Sequence, residues 1–138
     1  MTLHLVRHGR PLKESDDSAP EPELDPAGFD DIWALRERLP SRASWFCAPE
    51  RIAQETAQLL TDGDVGIIDE LREHEPVEGQ LLAVRRILEV HGDDDVVLVG
   101  HGTAWALLEA GLTGREADPE RWRSLGTPDV ITVPTRLR

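Results

Sequence analysis

Asp93-Asp94-Asp95-Val96-Val97-Leu98-Val99-Gly100 is the stretch whose reading decides the architecture. After an acidic opening it is apolar at every position up to the glycine. A strand with one wet face alternates polar and apolar residues, whereas a parallel strand covered on both faces does not. The run therefore predicts a central strand, and parallel neighbours require crossover helices. Working outward, Leu3–Val6 and Ala43–Cys47 read as two more strands, Val65–Ile68 as another, and Asp129–Val133 as a final edge strand before Pro134. Between them lie helical spacings. Asp25-Pro26 reads as a helix N-cap with proline in the first turn, followed by Phe29, Ile32, Trp33 and Leu39, and ended by Pro40. A second helix starts at Pro49, carries Ile52, Ala53, Thr56, Ala57 and Leu60 on its apolar face, and closes at Asp62-Gly63. Leu81–Val90, Thr103–Ala110 and Pro119–Leu125 read as three more, while residues 10–24, with Pro11, Pro20 and Pro22 among acidic residues, read as a polar loop. Strands alternating with helices predict an α/β fold, a three-layer α/β/α sandwich on a mostly parallel sheet, spanning residues 1–138 as one domain.

The 138 residues include 27 acidic and 15 basic side chains, for a formal net charge of −12. At 39% hydrophobic and 30% charged, the chain has the composition of a globular protein. Such an acidic chain, with pI near 4.7, repels polyanions, which argues against nucleic acid and anionic membranes as partners. Any site for an anionic ligand must then be a local concentration of positive charge. The lone Cys47 excludes an internal disulfide framework and an all-cysteine zinc site. Met1–Val6 lacks the basic and apolar pattern of a secretory leader, and the longest apolar run is far below the roughly 20 residues of a membrane span, so a cytoplasmic location is expected.

Ligands of open α/β sheets sit beyond the carboxyl ends of strands. Two of the strands run into His-Gly: Leu5-Val6-Arg7-His8-Gly9 and Leu98-Val99-Gly100-His101-Gly102. A glycine after the histidine lets the backbone turn, and approach a ligand, with no Cβ in the way. Arg7 adds a permanent planar cation matched to phosphate oxygens. A histidine at a strand end is often only a hydrogen-bonded structural residue, and an arginine there a surface ion-pair partner. The two junctions, one with Arg directly before His, point instead to a site if a parallel sheet brings them together.

On these residues the chain resembles the histidine phosphatase superfamily, also called phosphoglycerate-mutase-like. Arg7-His8-Gly9 matches its signature, and Val97-Leu98-Val99-Gly100-His101-Gly102 is similar to the strand bearing its second histidine. Leu71-Arg72-Glu73 resembles the segment with the acidic catalytic residue, and Cys47–Ala57 the segment with the second phosphate-binding arginine. The resemblance implies a metal-independent phosphomonoester phosphatase with no cofactor and a small phosphorylated substrate. His8 would be the nucleophile, forming a phosphohistidine that water hydrolyses, with its other ring nitrogen held by a backbone carbonyl. Arg7, Arg51 and His101 would surround the phosphoryl oxygens, with Gly9 and Thr103 as further phosphate-binding positions. Glu73 would protonate the leaving alkoxide, with Glu75 or Glu78 as substitutes.

The chain departs from the family pattern at Ile52, which stands where the second arginine is expected, four residues before Thr56. Arg51 is its neighbour, turned by about 100° on a helix, and whether it reaches the pocket depends on the helix start. Arg10-Pro11-Leu12-Lys13-Glu14 lacks the threonine and asparagine of many mutases, and the chain holds little material for a lid, which favours hydrolysis. Two other readings stay open: a protein phosphohistidine phosphatase, or a catalytically impaired binder of phosphorylated ligands, motivated by Ile52.

Overall fold

The computed structural model describes residues 2–12, 23–40, 42–72, 75–91, 94–116, 120 and 126–134. Strands β1 (Thr2–Arg7), β2 (Ser44–Cys47), β3 (Gly66–Ile67), β4 (Val96–Gly100) and β5 (Asp129–Pro134) form one sheet in the order β3-β2-β4-β1-β5. The β3–β2, β2–β4 and β4–β1 pairings are parallel, and β5 closes the far edge antiparallel to β1. The acidic-to-apolar run is the central strand, and all five of its residues are buried. Its alternate side chains feed two cores. Val96 and Leu98 pack with Leu3, Leu5, Val84, Trp105 and Leu108, beneath helices α3 (Val77–Val90) and α4 (Gly102–Thr113). Val97 and Val99 pack with Val6, Ile32, Leu35, Ile52 and Leu60, beneath α1 (Phe29–Leu35) and α2 (Arg51–Leu60). This is a mixed α/β sandwich of three layers.

Register is what matters for the site. Leu5 pairs with Leu98, Val6 with Val99 and Arg7 with Gly100, so the next residue along each strand is a histidine. The His8 amide N–H donates to the Gly100 carbonyl at 2.9 Å, extending the ladder to the strand tips. The Trp105 indole N–H donates to the Val6 carbonyl at 2.6 Å, tying the start of α4 to β1 inside the core. A Cβ on Gly100 would lie 2.7 Å from Cζ2 of that indole, so the residue before His101 has no room for a side chain.

Local expectations hold in outline and shift in detail. Asp25 caps a short 3-10 turn (Pro26–Gly28), its side chain accepting the Ala27 N–H at 2.9 Å, and α1 follows. Trp33 does not join the core: it is 52% exposed, with the Arg36 guanidinium stacked 4.6 Å over its ring, while Leu35 turns inward with Ile32. At one residue's separation on a helix the two faces differ, and Ile32 with Leu35 is the pair at i, i+3. Helix α3 starts at Val77 rather than Leu81, directly after Pro76: the Gln80 backbone N–H donates to the Pro76 carbonyl at 3.2 Å to close the first turn, and the buried Gln80 side-chain amide donates to the Glu75 carbonyl at 3.0 Å. β3 is shorter than the run Val65–Ile68, an exposed two-residue edge in which Gly66 lies against the Phe46 ring. The loop after β1 is pinned at its base, where Leu12 N–H donates to the Glu23 carbonyl at 2.7 Å and Asp25 N–H to the Arg10 carbonyl at 2.8 Å. The helix expected at Pro119–Leu125 lies outside the described residues. None of the described helices is long and apolar enough to cross a membrane.

Candidate active site

The tips of β1 and β4 bring His8 and His101 together, with ring centroids 5.3 Å apart and planes at 72°. The His8 Nδ1 lies 2.8 Å from the carbonyl oxygen of Gly9. A carbonyl only accepts, so Nδ1 carries a proton, and in the neutral form of the ring Nε2 holds the lone pair. A main-chain bond of this kind orients the imidazole and selects the tautomer that can attack an electrophile.

The turn after His8 is held from the other core. The Gly9 N–H donates to the Thr56 hydroxyl at 3.0 Å, and that hydroxyl donates to the Ile52 carbonyl at 2.7 Å. Thr56 is fully buried, so α2 fixes the loop carrying His8 through a shielded pair of bonds. At Gly9 the missing Cβ makes room for the protein, since a Cβ there would lie 2.5 Å from Ile32 Cδ1 and 2.9 Å from Leu24 Cδ2. Gly102 follows the same logic, with a Cβ meeting Arg7 Cδ at 2.9 Å. The Arg7 side chain thus runs across the residue after His101, and three of the expected residues share one corner of the molecule.

His101 precedes the first turn of α4, which contains Thr103, and its ring is nearly enclosed. The first backbone N–H groups of a helix lack intrahelical acceptors and favour an anion. His101 Nε2 lies 3.0 Å from Oε1 of Glu50, a residue that reading the sequence did not single out. The available signal was positional: Glu50 sits just past the tip of β2, beside β4, immediately before α2.

Arg51 is placed differently from the histidines and Arg7. Its side chain is 56% exposed and its guanidinium is bound by two carboxylates, Glu55 at 2.7 Å through Nε and Glu23 at 2.8 Å through Nη1. Ile52 is 1% exposed and belongs to the core beneath α1 and α2. Glu73 lies outside the described residues. Glu75 and Glu78 are exposed, Glu78 in the first turn of α3. Cys47 is no candidate nucleophile, because burial pushes its thiol up to about 11.

No protein-family model and no curated protein matches the sequence. Solved structures do match the fold. A phosphoserine phosphatase from Entamoeba histolytica, in complex with 3-phosphoglyceric acid, superposes with a TM-score of 0.75 at 17% identity over 95% of this chain and 89% of that one. The chain has the histidine-phosphatase fold. The mycobacterial glucosyl-3-phosphoglycerate phosphatase gives a TM-score of 0.69 at 20% identity over 91% of this chain and 84% of that one. The protein histidine phosphatase SixA, complexed with tungstate, gives 0.70 at 17% identity over 86% and 81%.

Proposed function

We propose that the chain is a metal-independent phosphatase of the histidine phosphatase superfamily that hydrolyses a small phosphomonoester through a phosphohistidine on His8. The observation carrying this reading is the His8 ring, with Nδ1 on the Gly9 carbonyl and the His101 ring 5.3 Å away. The Nε2 lone pair attacks phosphorus as the bond to the leaving oxygen breaks, and the alkoxide takes a proton from a carboxylic acid, for which Glu73 is the residue expected. Water, giving a proton to the carboxylate left by that step, then attacks the phosphoryl group as its bond to Nε2 breaks, yielding inorganic phosphate, neutral His8 and the restored carboxylic acid. Arg7, across Gly102, supplies the fixed cation for the phosphoryl oxygens, and such charge stabilisation is the dominant contribution in phosphoryl transfer. The structural neighbours named for phosphoserine, glucosyl-3-phosphoglycerate and protein phosphohistidine support phosphatase chemistry on this fold without selecting among those substrates.

The test is hydrolysis of p-nitrophenyl phosphate in EDTA by wild type and His8→Ala. Turnover by the wild type, lost in the variant by about a thousandfold or more, is expected for removal of a nucleophile. Acid-labile labelling of the wild type by phosphoryl donor, absent in His8→Ala, identifies the intermediate. The rival reading, a binder of phosphorylated ligands, is favoured by the core position of Ile52 and by the two carboxylates on Arg51. Background turnover on p-nitrophenyl phosphate and on a panel of phosphate esters decides for that rival.

A further inference from the structure

Glu50 occupies the N-cap position of α2, with φ −63° and ψ 144°, yet its carboxylate makes no hydrogen bond to the helix N-terminus. It reaches instead to His101 Nε2 at 3.0 Å, across to a residue on another strand tip. The two side chains are 17% and 7% exposed, so the pair is shielded from water and its interaction exceeds that of a surface pair. An ionised carboxylate only accepts, so Nε2 is the donor.

The ring this carboxylate binds lies 5.3 Å from that of His8, His101 precedes the first turn of α4, and the Arg7 side chain runs over the adjoining Gly102. The segment supplying the carboxylate brings no compensating cation to the histidines. Arg51 is bound to Glu23 and Glu55, and Ile52 is in the core. Residues 50–52 thus contribute a negative group to the corner where the strand tips gather positive ones. Two anionic oxygens cannot both accept from one N–H at hydrogen-bonding distance without like-charge repulsion.

We propose that Glu50 is a specificity-determining residue: its carboxylate competes with a phosphoryl oxygen for the Nε2–H of His101 and weakens the site's hold on highly charged oxyanions, free inorganic phosphate above all. This rests on the phosphatase reading of the site. A substrate must displace the carboxylate, with its remaining contacts offsetting the cost, whereas inorganic phosphate has no other part to contribute. Product inhibition is weak as a result.

Inorganic phosphate is titrated into wild type, Glu50→Gln and Glu50→Ala by calorimetry, and its inhibition of p-nitrophenyl phosphate hydrolysis is measured in parallel. Both variants are expected to bind phosphate about tenfold or more tighter, with Glu50→Asp restoring part of the wild-type discrimination. Affinity unchanged or weakened in Glu50→Gln overturns the proposal. Loss of folding in both variants also overturns it, because a competitor for ligand is dispensable to the fold. If phosphate binds to neither wild type nor Glu50→Gln, this inference and the phosphatase reading fall together. If His8→Ala abolishes turnover while Glu50→Gln leaves phosphate affinity unmoved, only this inference falls.

Discussion

Gly9→Ala is the sharpest probe of how the fold builds the site. The added Cβ would sit 2.5 Å from Ile32 Cδ1 and 2.9 Å from Leu24 Cδ2, both well inside ordinary contact. Ile32 is fully buried and Leu24 is 4% exposed, so neither can swing into solvent. The turn must move outward instead, stretching the 3.0 Å bond from Gly9 N–H to Thr56 and shifting the carbonyl that holds His8. Overpacking of this kind costs about 1–3 kcal/mol, and a weakened buried hydrogen bond adds about 1 kcal/mol. A loss of roughly 2–4 kcal/mol in urea unfolding is expected, together with a fall in kcat on p-nitrophenyl phosphate. Ile32→Val removes the nearest atom, Cδ1, at a cost of about 0.5–1.5 kcal/mol on its own. The double variant should therefore be more stable than the sum of the two losses by at least about 1 kcal/mol, and should regain activity. Additive losses, or a Gly9→Ala protein within about 0.5 kcal/mol of wild type, would refute the steric account of this glycine.

Thr56→Val should cost about 1–3 kcal/mol in urea unfolding by leaving the Gly9 N–H without its buried acceptor, and should lower kcat; Thr56→Ser keeps the hydroxyl and should recover most of both. A Thr56→Val protein matching wild type in both measurements would show that the hydroxyl contributes nothing. Burial raises the Cys47 thiol from 9.0 to about 11, so below pH 9 both folded and unfolded chains keep the proton and its contribution to stability is complete. Above that, the unfolded chain loses the proton first, and stability should fall as pH rises through the folded value. Denaturant melts of wild type and Cys47→Ala across this range isolate the effect as the difference in slope; identical slopes would mean that the thiol titrates alike in both states.

Much of the fold was legible because its signals are local. The uninterrupted apolar run at Val96–Val99 can be satisfied only between two covered faces, and it is the central strand. Asp25-Pro26 could be read as a cap because the side chain that satisfies the turn is adjacent to it. The two strand-to-His-Gly junctions were equally visible, and a parallel sheet was the only means of joining them. The spacing that grouped Trp33 with Ile32 did not fix its face, because one residue of helical phase separates the inward face, which Ile32 and Leu35 occupy, from the outward one. Glu50 and Arg51 were opaque for a different reason. Their roles depend on partners at positions 101, 23 and 55, which chain order does not relate to them.

By itself the sequence determined the alternation of strands and helices, the pairing of Arg-His-Gly with a second His-Gly, and the absence of an arginine at position 52. Hydrophobic periodicity and turn chemistry act over a few residues, so a linear reading captures them. Only the tertiary structure decided that Gly9 is small for the sake of Ile32 and Leu24, that Arg51 faces acids, and that a carboxylate rests on His101. Those outcomes follow from strand register and helix phase, which bring together side chains far apart along the chain and set which charges meet.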